Sequence, residues 1–226
     1  QGSRFEKDIV TLLDIPKEKL YNLPIGIASI DEILSRPFIT DEQAKRVWGF
    51  EGKYVIVIGY NGSPAHNHIK VIKSLVFMKK QLPTNTILVC PMTYGGNPVY
   101  RKKIKRLLWN SQFENQILEN YLTAEELVCL RKATDLFIHA QNTDANSGTI
   151  AEYLLCRKKI VNPTWITYPH YETYGSPFYS FSNFEELPQA IMKAINDTSN
   201  KVSTGNISES GWSKLACKWV ELYKKY

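Results

Sequence analysis

Across residues 136–161, LFIHAQNTDANSGTIAEYLLCRKKIV, an apolar strand breaks into a polar loop, and a helix opens at Ser147-Gly148-Thr149. Residue types in that order build an anion site. The first amides of a helix have no partner inside it, and the aligned peptide dipoles add roughly half a positive charge there, so a diphosphate is attracted to them. Glu152, one turn further in, is placed to reach a ribose hydroxyl. The same residues allow a second reading. Thr149-Ile150-Ala151-Glu152 also fits a capping box, in which the Thr and Glu side chains satisfy the helix's own amides and touch no ligand.

Three other loops hold residues able to do chemistry. In Gly59-Tyr60-Asn61-Gly62-Ser63-Pro64-Ala65-His66-Asn67-His68, the glycines permit close backbone approach, and Asn61, Ser63, Asn67 and His68 can bind phosphate or sugar oxygens. A tight turn at Asn61-Gly62 and a helix cap at His66 or Asn67 are the structural alternatives. The loop lacks the G-x-G-x-x-G fingerprint, and no G-K-[ST] follows it, which argues against a nicotinamide cofactor and against ATP hydrolysis. In Pro91-Met92-Thr93-Tyr94-Gly95-Gly96-Asn97-Pro98, Tyr94 is suited to face a base or sugar beside the flexible Gly95, a plain turn being the alternative. Glu119-Asn120-Tyr121-Leu122-Thr123 precedes a helix, and at Tyr121 and Leu122 it presents backbone groups suited to a pyrimidine edge.

The elements that must position these loops follow from periodicity. Residues 4–20 read as helical and lead to a short strand over Tyr21 to Gly26, after which a linker runs to residue 50. Lys53 to Tyr60 is β-branched and apolar enough for a strand buried on both faces, and Ile69, Ile72, Leu75 and Val76 then recur at helical spacing. Thr86 to Cys90, Gln116 to Leu118, Leu136 to His139 and Lys159 to Asn162 read as further strands, with helices between them and Thr123-Ala124-Glu125-Glu126 opening one. Strands alternating with helices predict an α/β fold, a Rossmann-like parallel sheet with helices on both faces and ligands bound beyond the carboxyl ends of the strands.

Composition bounds the function. A chain of 226 residues with 43% hydrophobic and 12% aromatic residues has a sizeable core and is not disordered. No run of eighteen apolar residues suggests a membrane span, and no signal-peptide pattern is present. Gln1-Gly2-Ser3 reads as a cloning remnant, residues 4–50 as a lead-in segment and linker, 51–200 as the binding domain and 201–226 as a carboxy-terminal helix. Cys90, Cys129, Cys156 and Cys217 lie far apart with no C-x-x-C pair, which suits buried thiols in a reducing cytoplasm and argues against a bound metal. A net charge of +6 suits anionic partners. The densest basic run, Arg101-Lys102-Lys103 with Lys105-Arg106, alternates with Ile104, Leu107 and Leu108 and reads as the solvated face of a helix. Trp212, Leu215, Trp219, Leu222 and Tyr223 form a second helical stripe, expected to pack on a core.

The order of these loops resembles the carboxy-terminal, donor-binding half of a GT-B glycosyltransferase. Asp144 and Glu152 are similar to the paired acids of the retaining enzymes, and Tyr21 to Ile27, YNLPIGI, resembles the segment that enters their donor domain. A narrower likeness is to the bacterial family that transfers acetamidofucose from a dTDP-sugar to a lipid-linked acceptor. It rests on Asn61-Gly62-Ser63 with Asn67-His68-Ile69, and on Pro91, Thr93, Tyr94, Gly95 and Tyr100, and it covers residues 54–190.

The resemblance implies a bacterial enzyme of polysaccharide biosynthesis that binds a UDP- or dTDP-sugar and transfers a hexose without a metal or other cofactor. It implies that the amides of Ser147, Gly148 and Thr149, helped by Asn61, Gly62 and Ser63 and by Asn67 or His68, hold the diphosphate. Glu152 would then hold the ribose, Tyr94, Gly95, Tyr121 and Leu122 the base, and Asp144 with Gln141 the hexose, with Asp144 and His68 in the catalytic role. The acceptor, a glycan or lipid-linked sugar, would come through an amino-terminal domain, and the fragment alone would be inactive. A cytoplasmic location, peripheral at the inner face of the membrane, follows from lipid-linked acceptors. The alternatives are a nucleotide-binding module without transfer activity and, ranked lowest, a nucleic-acid-binding domain using the basic helix.

Overall fold

The computed structural model describes residues 10–13, 15–21, 23, 25–172, 178–199 and 206–225. Its strands are β1 (Tyr54–Ile58), β2 (Thr86–Pro91), β3 (Glu114–Leu118), β4 (Leu136–Ile138), β5 (Lys159–Pro163) and β6 (Phe178–Phe181). All pair in parallel, in the order β3-β2-β1-β4-β5-β6. Successive strand side chains point to opposite faces. Sequences such as YVIVI and TILVCP are largely apolar and buried at nearly every step, so the central strands are covered front and back.

The α-helices are α1 (Ala28–Leu34), α2 (Asp41–Trp48), α3 (His68–Phe77), α4 (Pro98–Ser111), α5 (Ala124–Ala133), α6 (Gly148–Leu155), α7 (Pro169–Glu172), α8 (Leu187–Asn196) and α9 (Trp212–Tyr223). Ile56, Ile58, Leu88 and Cys90 meet a layer of α3, α4 and α8 through Ile72, Leu75, Ile104, Leu108 and Ile191. Val55, Val57, Ile87 and Val89 meet the opposite layer of α1, α2, α5 and α6 through Ile30, Ala44, Leu130, Ile150 and Leu154. The expected α/β sheet with helices on both faces is the fold found.

Several elements differ from the sequence reading. Residues 28–50, expected as linker, hold α1 and α2, and Ile30, Ala44 and Phe50 belong to the core. The signal was there in Thr40 and Gln43, which form a reciprocal capping box at the start of α2. Of the short strand expected over Tyr21 to Gly26, the described residues have no regular structure, and Asn22 and Pro24 lie outside the described residues. The helix expected over residues 4–20 is present at 10–13, with a 3-10 turn at Lys17–Lys19, while residues 4–9 and 14 lie outside the described residues. The series also continues one step further than expected, through β6 and α8.

The carboxy-terminal helix α9 is fastened to α1 by Asp31, whose carboxylate accepts from the Ser213 N–H at 3.1 Å and from the Ser213 hydroxyl. Leu215 is the buried residue of its apolar stripe, and Tyr223 remains exposed.

Candidate functional site

β1 and β4 are neighbours although β2 and β3 intervene in sequence. At such a switch point the loops leaving the two carboxyl ends diverge and open a crevice. Residues 59–67 form one of these loops, and residues 139–147 the other.

The first loop is held by contacts within the protein. The Gly62 N–H donates to Tyr94 O at 2.7 Å, and a Cβ on Gly62 would stand 2.7 Å from Gly95 O. Gly96, at φ +69°, is closer still, because a Cβ there would collide with Gly62 O. These glycines therefore let one loop approach another. Asn61, also buried, accepts from the Ser63 N–H at 2.8 Å, and Ser63 caps a 3-10 turn by accepting from the Ala65 N–H at 3.3 Å. Asn67, at φ 54°, donates to Ala140 O at 2.8 Å and Asn142 Oδ1 at 2.7 Å, which ties this loop to the one after β4.

His68 begins α3 and is wholly buried, its Nδ1 3.2 Å from the Tyr100 hydroxyl. His66 is equally buried beside it, and among the described residues neither of its ring nitrogens has a hydrogen-bond partner, nor has His68 Nε2. Burial pushes His68 down to about 4. Burial, then the neighbouring His68 and His139, push His66 down to about 3. Both are neutral at ordinary pH.

Ser147 caps α6, its Oγ accepting from the Ile150 N–H at 3.3 Å. Gly148 and Thr149 are then the first two helical residues, and among the described residues no acceptor meets their amides. The capping box considered for Thr149 and Glu152 is not formed, because the cap lies two residues earlier and puts Glu152 in the second turn. The Glu152 side chain turns inward instead. Its Oε2 accepts from Arg131 Nε at 2.7 Å and its Oε1 from the Ser29 hydroxyl. Arg131 also donates to the Tyr153 hydroxyl at 3.1 Å. Burial opposes the guanidinium charge, but Tyr153 and Glu152 outweigh it and hold Arg131 above its ordinary range.

A cavity of about 200 Å³ opens between the ends of β2 and β3 and the start of α6. Tyr94, Tyr121, Leu122, Thr149 and Glu152 line it together, with Tyr60 and Arg131. The Tyr94 and Tyr121 rings lie within 6° of parallel, centroids 6.0 Å apart. Gly95 does not line the cavity and sits against Asn61 and Ser63 of the first loop, its carbonyl accepting from Arg101 at 2.7 Å. Asn61, Gly62, Ser63, Asn67 and His68 do not line the cavity; they build the loop beside it.

Tyr60 links the cavity to a polar cluster around Asp144, donating to Gln141 Oε1 at 2.9 Å. Both Asn162 amide hydrogens go to carbonyls, those of Pro163 at 3.0 Å and Ile166 at 2.9 Å, so its Oδ1 is the acceptor of a hydrogen from His139 Nδ1 at 2.9 Å. His139 Nε2 faces Asp144 Oδ2 at 3.3 Å. That same oxygen accepts from the Tyr168 hydroxyl at 2.9 Å, and Asp144 Oδ1 accepts from the Ala145 N–H at 2.8 Å. Burial raises the Asp144 carboxyl, but the contact with His139 and the bonds from the Tyr168 hydroxyl and the Ala145 N–H prevail and hold it below the usual carboxylate range. Among the described residues no three His, Cys, Asp or Glu are grouped to hold a metal ion.

Sequence reasoning missed Ser29, Arg131, His139 and Tyr168. Arg131 alone left a signal, as a cation between the buried Leu130 and Ala133.

No protein-family model and no curated protein matches the chain. Solved structures do. A glycosyltransferase from Rickettsia africae aligns with a TM-score of 0.68 at 17% identity, over 98% of this chain and 61% of that one. HepE of Anabaena, solved in complex with UDP and glucose, aligns at 0.64 and 16% identity, over 82% of this chain and 52% of that one. The carboxy-terminal domain of the group 1 glycosyl transferase LpcC from Francisella tularensis aligns at 0.59 and 12% identity, over 80% of this chain and 93% of that domain. The chain thus spans about three-fifths of the Rickettsia protein and half of HepE. At these identities the likeness is one of fold, the Rossmann-like half of the GT-B architecture.

Proposed function

We propose that this chain is the donor-binding half of a GT-B glycosyltransferase and binds a nucleoside-diphosphate sugar at the carboxyl edge of its sheet. One observation carries the reading. Two parallel tyrosine rings, an inward-held carboxylate and the start of a helix with unpartnered amides surround one cavity at the sheet's carboxyl edge.

In this reading the base lies against Tyr94, Tyr121 and Leu122, the ribose hydroxyls meet Glu152, and the diphosphate meets the amides of Gly148 and Thr149. Breaking the anomeric C–O bond develops negative charge on the nucleoside diphosphate and positive charge on the sugar. Preorganised amides stabilise the first without a metal. Asp144, kept ionised next to Gln141, faces the second from the adjoining loop. His68, buried behind that loop, supports it and touches no donor. The donor is a UDP- or dTDP-sugar, dTDP-acetamidofucose among them, and the acceptor, a glycan or lipid-linked sugar, arrives through another domain. Other glycosyltransferases of this fold and the HepE complexes with UDP and UDP-glucose support the reading.

A nucleotide-binding module without transfer chemistry is the second reading, because the cavity near Tyr94 is built while the sugar end at Asp144 lies outside it. Calorimetry with UDP-, dTDP-, GDP- and ADP-sugars, with and without magnesium, separates them. Saturable, metal-independent binding of one base, tighter for the sugar nucleotide than for the bare diphosphate, supports the donor domain. Equal affinity for both favours the module, and no binding of any refutes the cavity as a nucleotide site.

A further inference from the structure

The two helical layers differ in charge. α3, α4 and α8 carry two, five and one Lys or Arg and no Asp or Glu, whereas α1, α2, α5 and α6 carry seven Asp or Glu against four Lys or Arg. The segregation is sharpest on α4. Ile104 and Leu108 face the core, while Val99, Lys102, Arg106 and Trp109, spaced three, four and three residues apart, form a single stripe on the opposite side. Trp109 is 85% exposed and Val99 79%. On the neighbouring α3, Phe77 is 83% exposed.

The cations of the stripe are unengaged. Lys105 pairs with Glu119 at 2.8 Å and Arg101 bonds Gly95 O at 2.7 Å, but among the described residues Lys102, Lys103 and Arg106 meet no hydrogen-bond or ion-pair partner. A solvated helix face has no need of an exposed tryptophan one turn beyond its unpaired cations.

We propose that this face docks on the anionic surface of a lipid bilayer, with Lys102, Lys103 and Arg106 at the level of the lipid phosphates and Trp109, Val99 and Phe77 at the headgroup boundary. Tryptophan gains at that boundary because its ring leaves water while its N–H stays wet. A nucleic acid would use the same cations, but its phosphate backbone offers Val99 and Phe77 nothing, whereas a bilayer boundary lets both leave water. The proposal requires no donor at the sheet's carboxyl edge, so it and the donor-site reading fail independently.

Co-sedimentation with vesicles of equal phosphatidylglycerol and phosphatidylcholine tests it. The chain is expected to pellet with these vesicles at about 0.1 M salt, to be released at about 1 M, and to stay in solution with pure phosphatidylcholine. Each cation near an anionic surface contributes about fivefold, so Lys102→Gln/Lys103→Gln/Arg106→Gln should lower partitioning roughly a hundredfold. An unchanged melting temperature certifies the fold of that variant. Trp109→Ala should remove most of the vesicle-induced blue shift in tryptophan fluorescence. The proposal is overturned if the wild-type chain ignores anionic vesicles or if the triple variant pellets as well as wild type. It is equally overturned if random duplex DNA binds more tightly than the vesicles and Trp109→Ala alters neither.

Discussion

Removing Arg131 is expected to cost far more than removing the whole pair it forms with Glu152. The two side chains are only 7% and 8% exposed, and Nε lies 2.7 Å from Oε2. At an effective dielectric of about 20 their attraction is roughly 6 kcal/mol. Taking two ions out of water costs several kcal/mol each, so the pair nets close to zero. In Arg131→Met the attraction is gone while the Glu152 carboxylate stays buried with Ser29 as its remaining partner, a loss of about 3–5 kcal/mol. Glu152→Leu strands the guanidinium in the same way. The double variant Arg131→Met/Glu152→Leu buries no charge and takes one hydrogen-bond partner each from the Ser29 and Tyr153 hydroxyls, about 1–3 kcal/mol.

Urea unfolding of the four proteins closes the cycle, and the expected coupling is at least about 3 kcal/mol. Calorimetry with UDP or dTDP on the folded double variant then separates architecture from binding, since the carboxylate proposed to hold the ribose is absent from a stable protein. Single costs that add to the double within about 0.5 kcal/mol would refute the reasoning. So would a double variant that binds nucleotide as wild type does, which would remove Glu152 from the site.

Gly148→Val should change stability by less than about 1 kcal/mol, because a Cβ there meets only Ile27 at 3.4 Å. It should nevertheless weaken nucleotide binding at least about tenfold by filling the space before the α6 amides, and unaltered affinity in the calorimeter would take the diphosphate away from that helix. Gly96→Ala should cost well over the roughly 1–2 kcal/mol of a left-handed alanine, because its Cβ collides with Gly62 O, whereas Gly49→Ala, at the same φ of +69° with nothing within 4 Å, should cost only that amount. Equal melting temperatures for the two variants would mean that the loops do not pack as described. His66 and His68 stay neutral in the fold down to about 3 and 4, while the unfolded chain takes up those protons near 6.5. Stability should therefore fall as pH drops below 6.5, by up to about 1.4 kcal/mol per pH unit for each histidine. His66→Leu should flatten that slope by about one proton in urea melts between pH 7 and 4.5, and an unchanged slope would refute the assignment.

What was legible in the chain depended on the distance over which each interaction acts. The strands were readable because YVIVI and TILVC state their burial locally, and the start of α6 because Ser147-Gly148 is a local signal. Within the candidate site, Tyr94, Tyr121, Leu122 and Glu152 were singled out from loops at strand ends, and the topology brings those loops to one cavity. What could not be read is where a polar side chain turns. Glu152 looked equally ready to cap its own helix or to wait for a ligand, and what decides between them is Ser29, 123 residues away, and Arg131 on another helix. The same holds for Gly62 of the first loop, whose partner is the backbone of a loop more than thirty residues on. Local signals thus mark where a site can form, and long-range partners decide what each residue does in it. Lys102, Arg106 and Trp109 add the converse. Their spacing reads equally well as a solvated face, and what makes the face unusual is a comparison between two sides of a sheet, visible only once the topology has sorted eight basic residues onto one side.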